Sequence, residues 1–167
     1  PIYTYGISEF CHDASTAGVD GLIVVDLPPE EDEQLRKPAK TSDIDFIRLT
    51  TPTSDTKRLP RLVTNASGFI YHVSVAGITG AQTAKQKSLE KSLSQIRKHT
   101  DLPIAVGFGI KTPKDVMNIS KIADAAVVGS AIIQKIADGS DSAYMVENIL
   151  GFVRSLSNAV QTRPLDQ

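Results

Sequence analysis

Two glycine turns are the residues of this chain best suited to chemistry, and the chemistry they suit is holding an anion. The first closes the apolar run Pro103-Ile104-Ala105-Val106-Gly107-Phe108-Gly109-Ile110 and leads into Lys111-Thr112-Pro113. The second is Ala125-Ala126-Val127-Val128-Gly129-Ser130-Ala131, which runs straight into Ile132-Ile133-Gln134-Lys135-Ile136. Each reads as a buried strand delivering a glycine backbone to a helix start, where unpaired N–H groups and the helix dipole attract negative charge. Gly107 and Gly109 flank Phe108, so the backbone can approach a ligand closely while the ring covers something apolar. Thr112 and Pro113 suit an N-cap and a first helical position, and Asp115 suits the third. Gly129 and Ser130 add N–H groups and a hydroxyl to the same anion. A lone Gly-x-Gly also arises wherever a tight βα turn must close. Two such turns after consecutive strands, the second opening a short helix, describe a phosphate pocket.

Other candidate residues are more ambiguous. Gly77-Ile78-Thr79-Gly80 sits in a long polar connection, where hinge-like glycines and a hydroxyl suit a loop that closes over substrate and excludes water. An ordinary surface loop is the alternative. Tyr71 lies in the strand just before it, and alternation does not decide its face when both faces are buried. Asp26 ends an apolar run, at the catalytic edge of an α/β sheet. It suits either acid–base work or capping of the turn ahead of Pro28. The acidic run Glu30-Glu31-Asp32-Glu33 reads as a first helical turn complementing the dipole rather than as a catalytic cluster. His12, His72 and His99 share no metal-ligand spacing, so packing or solvent accounts for them. There is no paired-carboxylate motif and no nucleophile–base pair. The residues in hand bind; they do not visibly catalyse.

The elements that must position these residues alternate. Ile7, Phe10, Cys11, Ala14 and Ala17 recur at helical spacing, with Gly18 where a C-terminal cap belongs. The runs Gly21–Val25, Asp45–Thr50 and Phe69–Val75 read as strands, as do the two apolar runs that lead into the glycine turns, and the continuous apolarity of Gly21–Val25 implies burial on both faces. Between them, Pro38 is expected to break or kink its helix early, and Ser54 to cap a helix through Leu59, Leu62 and Val63 that Pro60 shortens. Leu89, Leu93 and Ile96 mark the next helix, then Met117, Ile119 and Ile122. A short helix holds Ile132, Ile133 and Ile136, and Asp141 is placed to cap a last one carrying Met145, Ile149, Phe152, Val153 and Leu156. Residues 161–167 are expected to fray. Strand then helix, five times over, means a parallel sheet with helices outside in a single domain over 1–167. A doubly wound open sheet and the later part of an eightfold barrel both satisfy that order, and the short helix at 130–136 favours the barrel.

Composition narrows the function classes. The 167 residues are 41% hydrophobic and 22% charged with a net charge of −1, ordinary for a soluble globular protein. No basic face recommends nucleic acid or an anionic membrane. One cysteine, Cys11, cannot form an internal disulfide. No apolar run approaches the roughly 20 residues of a membrane span, and no signal peptide opens the chain. The expectation is a cytoplasmic protein. The chain opens at Pro1 without an initiator methionine, so an upstream segment is expected.

At this point the motifs become collectively specific. Asp20-Gly21-Leu22-Ile23-Val24-Val25-Asp26-Leu27-Pro28-Pro29-Glu30-Glu31 resembles the strand-four segment of the tryptophan synthase alpha subunit. Thr50-Thr51-Pro52-Thr53-Ser54, Gly68-Phe69-Ile70-Tyr71-His72-Val73-Ser74, Gly77-Ile78-Thr79-Gly80, Gly107-Phe108-Gly109-Ile110 and Val128-Gly129-Ser130-Ala131 match that family in order. The resemblance covers all but the C-terminal tail. It implies a TIM (β/α)₈ barrel, represented here by strands four to eight, and a carbon–carbon lyase. Such an enzyme cleaves indole-3-glycerol phosphate to indole and glyceraldehyde 3-phosphate by a retro-aldol reaction. It implies a beta-subunit partner in an α2β2 heterotetramer, with pyridoxal phosphate on that partner and no cofactor or metal on this chain. Matched residue by residue, Gly80, Gly109, Gly129 and Ser130 would hold the substrate phosphate, Tyr71 and Phe108 would line the indole pocket, and Thr79 would sit in the closing loop. Asp26 matches an acidic position near the subunit interface, and Pro28 would approach the beta subunit. The family's essential glutamate and aspartate are expected upstream of Pro1, and loss of such acid–base groups typically costs factors of roughly 10²–10⁴. The chain alone is therefore expected to be inactive. The alternatives are a non-catalytic phosphate-binding half-barrel, or another phosphate-binding barrel enzyme such as a histidine-pathway isomerase.

Overall fold

The computed structural model describes residues 1–54, 58–74, 82–107, 109–139 and 143–161. The elements in chain order are α1 (Ile2–Tyr5), α2 (Ile7–Thr16), β1 (Gly21–Ile23), α3 (Glu33–Thr41), β2 (Asp45–Thr50), α4 (Leu59–Thr64), β3 (Ile70–Val73), α5 (Gln82–Ile96), β4 (Ile104–Gly107), α6 (Pro113–Ser120), β5 (Ala125–Val127), α7 (Ser130–Asp138) and α8 (Met145–Gln161). The five strands follow one another in the sheet in the order of the chain. A doubly wound sheet must reverse its strand order at a switch point, and a barrel winds one way throughout. The observed order has no reversal, so the winding is that of a barrel. By their contacts the residues group into two compact units, 1–71 with 94–103, and 72–93 with 104–167.

In the first unit β1 and β2 run parallel, with Gly21 opposite Asp45 and Ile23 opposite Ile47. Cys11 and Ala14 of α2, Leu35 and Ala39 of α3, and Ile44 and Phe46 form its buried core. Helix α2 stops where the sequence placed its cap. Gly18 takes φ +84°, its N–H reaches Ser15 C=O at 2.9 Å, and Val19 N–H reaches Ala14 C=O at 2.9 Å. That pair of bonds is a Schellman motif, which only a residue at ease with positive φ closes without strain.

Four expectations are corrected here. The run Gly21–Val25 is strand only as far as Ile23, and Ile23 and Val25 are 44% and 74% exposed rather than buried. The chain turns at Val25-Asp26 ahead of two prolines, and β1 is the first strand of the order, with β2 as its one neighbour. Pro38 does not end α3, which continues to Thr41. Burial of Leu35 and Ala39 holds the helix on both sides of the proline and offsets the hydrogen bond its nitrogen cannot make. Of the four acids expected in the first turn of this helix, only Glu33 lies inside it, and Asp32, at the cap position, is buried. Ser54 caps no helix, because α4 starts at Leu59 with Pro60 in its first turn, where no intrahelical bond is lost. The Ser54 hydroxyl instead accepts from Thr51 N–H at 3.0 Å.

In the second unit β4 is buried along its whole length and pairs in parallel with β5. Gly107 belongs to that strand, and its C=O accepts from both the N–H and the hydroxyl of Ser74, at 3.0 and 2.9 Å. Helix α8 packs on α6 and α7. The position Asp141 and residues 162–167 lie outside the described residues.

His72 in β3 is 1% exposed, and burial pushes its pKa from 6.5 down to about 4. The native state thus favours neutral imidazole while the unfolded chain takes up the proton below about pH 6.5. Stability from this group is complete above pH 6.5 and is lost as pH falls from there to pH 4, where both states are protonated. The loss over that window is about 3 kcal/mol. Denaturant titrations at stepped pH should show this fall in the native protein, and His72→Gln should flatten it.

Candidate functional site

The two glycine turns occupy the same edge of the sheet. Gly107 is in register with Val127 in parallel strands, so Gly109 and Gly129 each stand two residues beyond a matched pair. Neighbouring parallel strands lie about 4.8 Å apart. Of the two glycines flanking Phe108, Gly107 stays in the strand, and Gly109 makes the turn at φ +78°. That conformation suits glycine and strains other residues.

The helices that follow begin differently. At α6 the Thr112 hydroxyl accepts from Asp115 N–H at 3.2 Å, completing one half of a capping box. The Asp115 carboxylate accepts from Thr112 N–H at 2.9 Å, from the Thr112 hydroxyl at 2.8 Å and from Lys111 N–H at 3.2 Å. This end carries its own negative charge, and the N–H groups of Lys111, Thr112 and Asp115 are engaged. At α7 Gly129 occupies the cap position, and among the described residues no side chain caps the end. Gly129 and Ser130 are exposed, and a Cβ built on Gly129 would meet nothing within 4 Å. Of the two helix starts, that of α6 is capped by its own side chains, as the Thr112–Asp115 spacing predicts, and that of α7 is not.

Tyr71 lies in β3, partly buried, on the face opposite Ile70 and His72. Phe108, Thr79 and Gly80, with the rest of the Gly77–Gly80 loop, lie outside the described residues.

The first unit holds a cleft of about 640 Å³ at the ends of β1 and β2, and Asp26 and Pro28 are on its lining. Asp26 is exposed, in a turn beyond the end of β1. Beneath this turn is a feature that sequence reasoning missed. Arg48, in the middle of β2, is 4% exposed and pairs with Asp32, which is 1% exposed. Burial lowers the Arg48 pKa, opposed by the charge of Glu30. Arg36 Nε reaches the other Asp32 oxygen at 3.1 Å, and Arg58 and Arg61 approach Glu30 at 3.4 and 3.6 Å. The available signal was a cation inside the otherwise apolar run Phe46–Leu49, which demands a buried counter-ion nearby. His12 and His99 are exposed. Among the described residues no cluster of His, Cys, Asp and Glu could hold a metal ion, and no helix is long and apolar enough to cross a membrane.

A family model described as tryptophan synthase alpha chain matches residues 1–161. The chain belongs to that family. Solved members resemble it across nearly its whole length. The tryptophan synthase subunit alpha of Campylobacter jejuni is 34% identical with a TM-score of 0.83, over 93% of this chain and 60% of that one. The tryptophan synthase alpha chain of Legionella pneumophila is 30% identical with a TM-score of 0.85, over 99% of this chain and 61% of that one. A chain from the tryptophan synthase a2b2 complex of Pyrococcus furiosus is 31% identical with a TM-score of 0.81, over 95% and 63%. This chain thus spans about three-fifths of the length of these relatives. The parallel sheet, wound in chain order, matches the family's α/β barrel architecture.

Proposed function

We propose that this chain supplies the phosphate-holding strands of a cytoplasmic lyase that cleaves indole-3-glycerol phosphate to indole and glyceraldehyde 3-phosphate in L-tryptophan biosynthesis. The observation that carries the reading is the open start of α7 at Gly129-Ser130, on the same sheet edge as the positive-φ turn at Gly109. Backbone donors there meet a doubly charged headgroup without competition from a side-chain cap. Family membership adds the reaction class. On this reading the five strands correspond to strands four to eight of a (β/α)₈ barrel, and Gly80, Gly109, Gly129 and Ser130 hold the phosphate. Tyr71 and Phe108 line the indole pocket, Thr79 belongs to the closing loop, and Asp26 and Pro28 face a beta subunit in an α2β2 assembly. On the same reading the acid–base carboxylates stand on earlier strands of the barrel, and the residues of this chain supply binding. It uses no metal or cofactor of its own, pyridoxal phosphate belonging to the partner.

Two measurements test this. Gly129→Ala places a methyl group in open space at an ordinary φ of −116°, so its melting temperature should equal the parent's. Its affinity for glycerol 3-phosphate, read by calorimetric titration, should fall about tenfold, or about 1.4 kcal/mol. Unchanged affinity would remove α7 from the site. The chain supplied with the upstream strands of a relative should release indole from indole-3-glycerol phosphate, and no release above background would overturn the lyase reading.

A further inference from the structure

A guanidinium is among the most expensive groups to bury, and β2 buries one between Ile47 and Leu49. Arg48 Nη2 pairs with Asp32, and Nη1 donates to Leu27 C=O at 3.4 Å. Leu27 and Asp32 bound the second half of the segment that leads from β1 into α3, so one planar fork grips that half at both ends. Neither side of the grip swings freely. The Phe46 ring centroid lies 4.7 Å from the guanidinium carbon, and Arg36 holds the second oxygen of Asp32. Between the grips stand Pro28 and Pro29, and Glu31 N–H closes a turn on Pro28 C=O at 3.0 Å. Val24–Pro29 forms part of the lining of the 640 Å³ cleft, with Thr51, Thr53 and Arg58 also on it.

We infer that Arg48 is a positioning residue, whose two-ended grip on Leu27 and Asp32 fixes the cleft-lining prolines Pro28 and Pro29 between them and anchors the turn at Asp26 from its C-terminal side. A role in stability alone would be met by an apolar pair of similar volume, which often equals or exceeds a buried ion pair. Holding two points five residues apart in a fixed geometry requires the planar fork, which neither an apolar side chain nor a lysine ammonium reproduces.

The double variant Arg48→Met/Asp32→Leu separates the two roles. Its melting temperature should stay near the parent's. Hydrogen exchange at the Glu31 amide should quicken at least tenfold, while the Phe46 amide in β2, held by the Ser67 hydroxyl at 2.8 Å, should exchange as before. A folded double variant with Glu31 as protected as in the parent would overturn the inference. Should that variant not fold, Arg48→Lys carries the test. Faster exchange at Glu31 alone supports the grip, and equal protection or equal loss at both amides overturns it. A last arm rests on the lyase reading: affinity for a beta subunit should fall at least tenfold in whichever variant loosens the segment. A loosened segment with unaltered partner affinity would overturn the partner-facing role of Asp26 and Pro28 and leave the grip standing.

Discussion

Gly109→Asp is expected to weaken binding of a phosphorylated substrate by at least a hundredfold. Two effects combine. The residue sits at φ +78°, where a side chain adds strain of roughly 1–2 kcal/mol. Its carboxylate would also stand beside the headgroup, and at about 5 Å and an effective dielectric of about 20 each pair of like charges costs about 3 kcal/mol. Gly109→Asn separates the two, since asparagine has nearly the same shape, tolerates the left-handed region and carries no charge. Calorimetric titration with glycerol 3-phosphate should show a modest loss for Asn and a loss larger by about two orders of magnitude for Asp. Equal losses in the two variants would mean that no anion sits near Gly109.

Asp32→Ala is expected to be the most destabilising single substitution in the first unit. It strands Arg48 in a site where the guanidinium is 4% exposed. Arginine cannot escape by losing its proton, so the charge stays buried without a counter-ion. Breaking one side of such a pair costs about 3–5 kcal/mol, which for a protein of this size lowers the melting temperature by roughly 6–20 °C. Asp32→Asn, which keeps the hydrogen-bonding shape and loses the charge, should fall between the parent and Ala. A change of less than about 1 kcal/mol in Asp32→Ala would mean that Arg48 is solvated.

What could be read from the sequence was what short-range chemistry decides. Gly18 as a helix terminator and Thr112-Pro113 with Asp115 as a helix opener are where the residues placed them, because each signal and its partner lie within one helical turn. The parallel sheet with helices outside followed from alternating strand and helix patterns, although those patterns alone left open sheet and barrel standing together, and only the observed strand order separates them. Failures came where a distant partner outweighed a local rule. Pro38 reads as a stop, yet Leu35 and Ala39 are buried against residues more than twenty positions upstream. Asp32 reads as one member of a solvated acidic turn, and only the return of the chain through β2, sixteen residues later, brings Arg48 to it. At the site, glycine positions were legible because backbone conformation restricts their replacement. Assigning them a phosphate drew on the ordered family motifs as well as on spacing.

The unequal starts of α6 and α7 have a consequence for how freely each can drift. Residues opening α6 are tied to one another by the capping box, so a pair that reproduces the bonds of Thr112 and Asp115 keeps the helix start. On the proposed phosphate reading, position 129 is held to a stricter rule, since the serine, threonine or aspartate that ordinarily improves a helix start would there occupy the donors meant for cargo. A mutation that looked like routine stabilisation would give the protein a built-in competitive inhibitor.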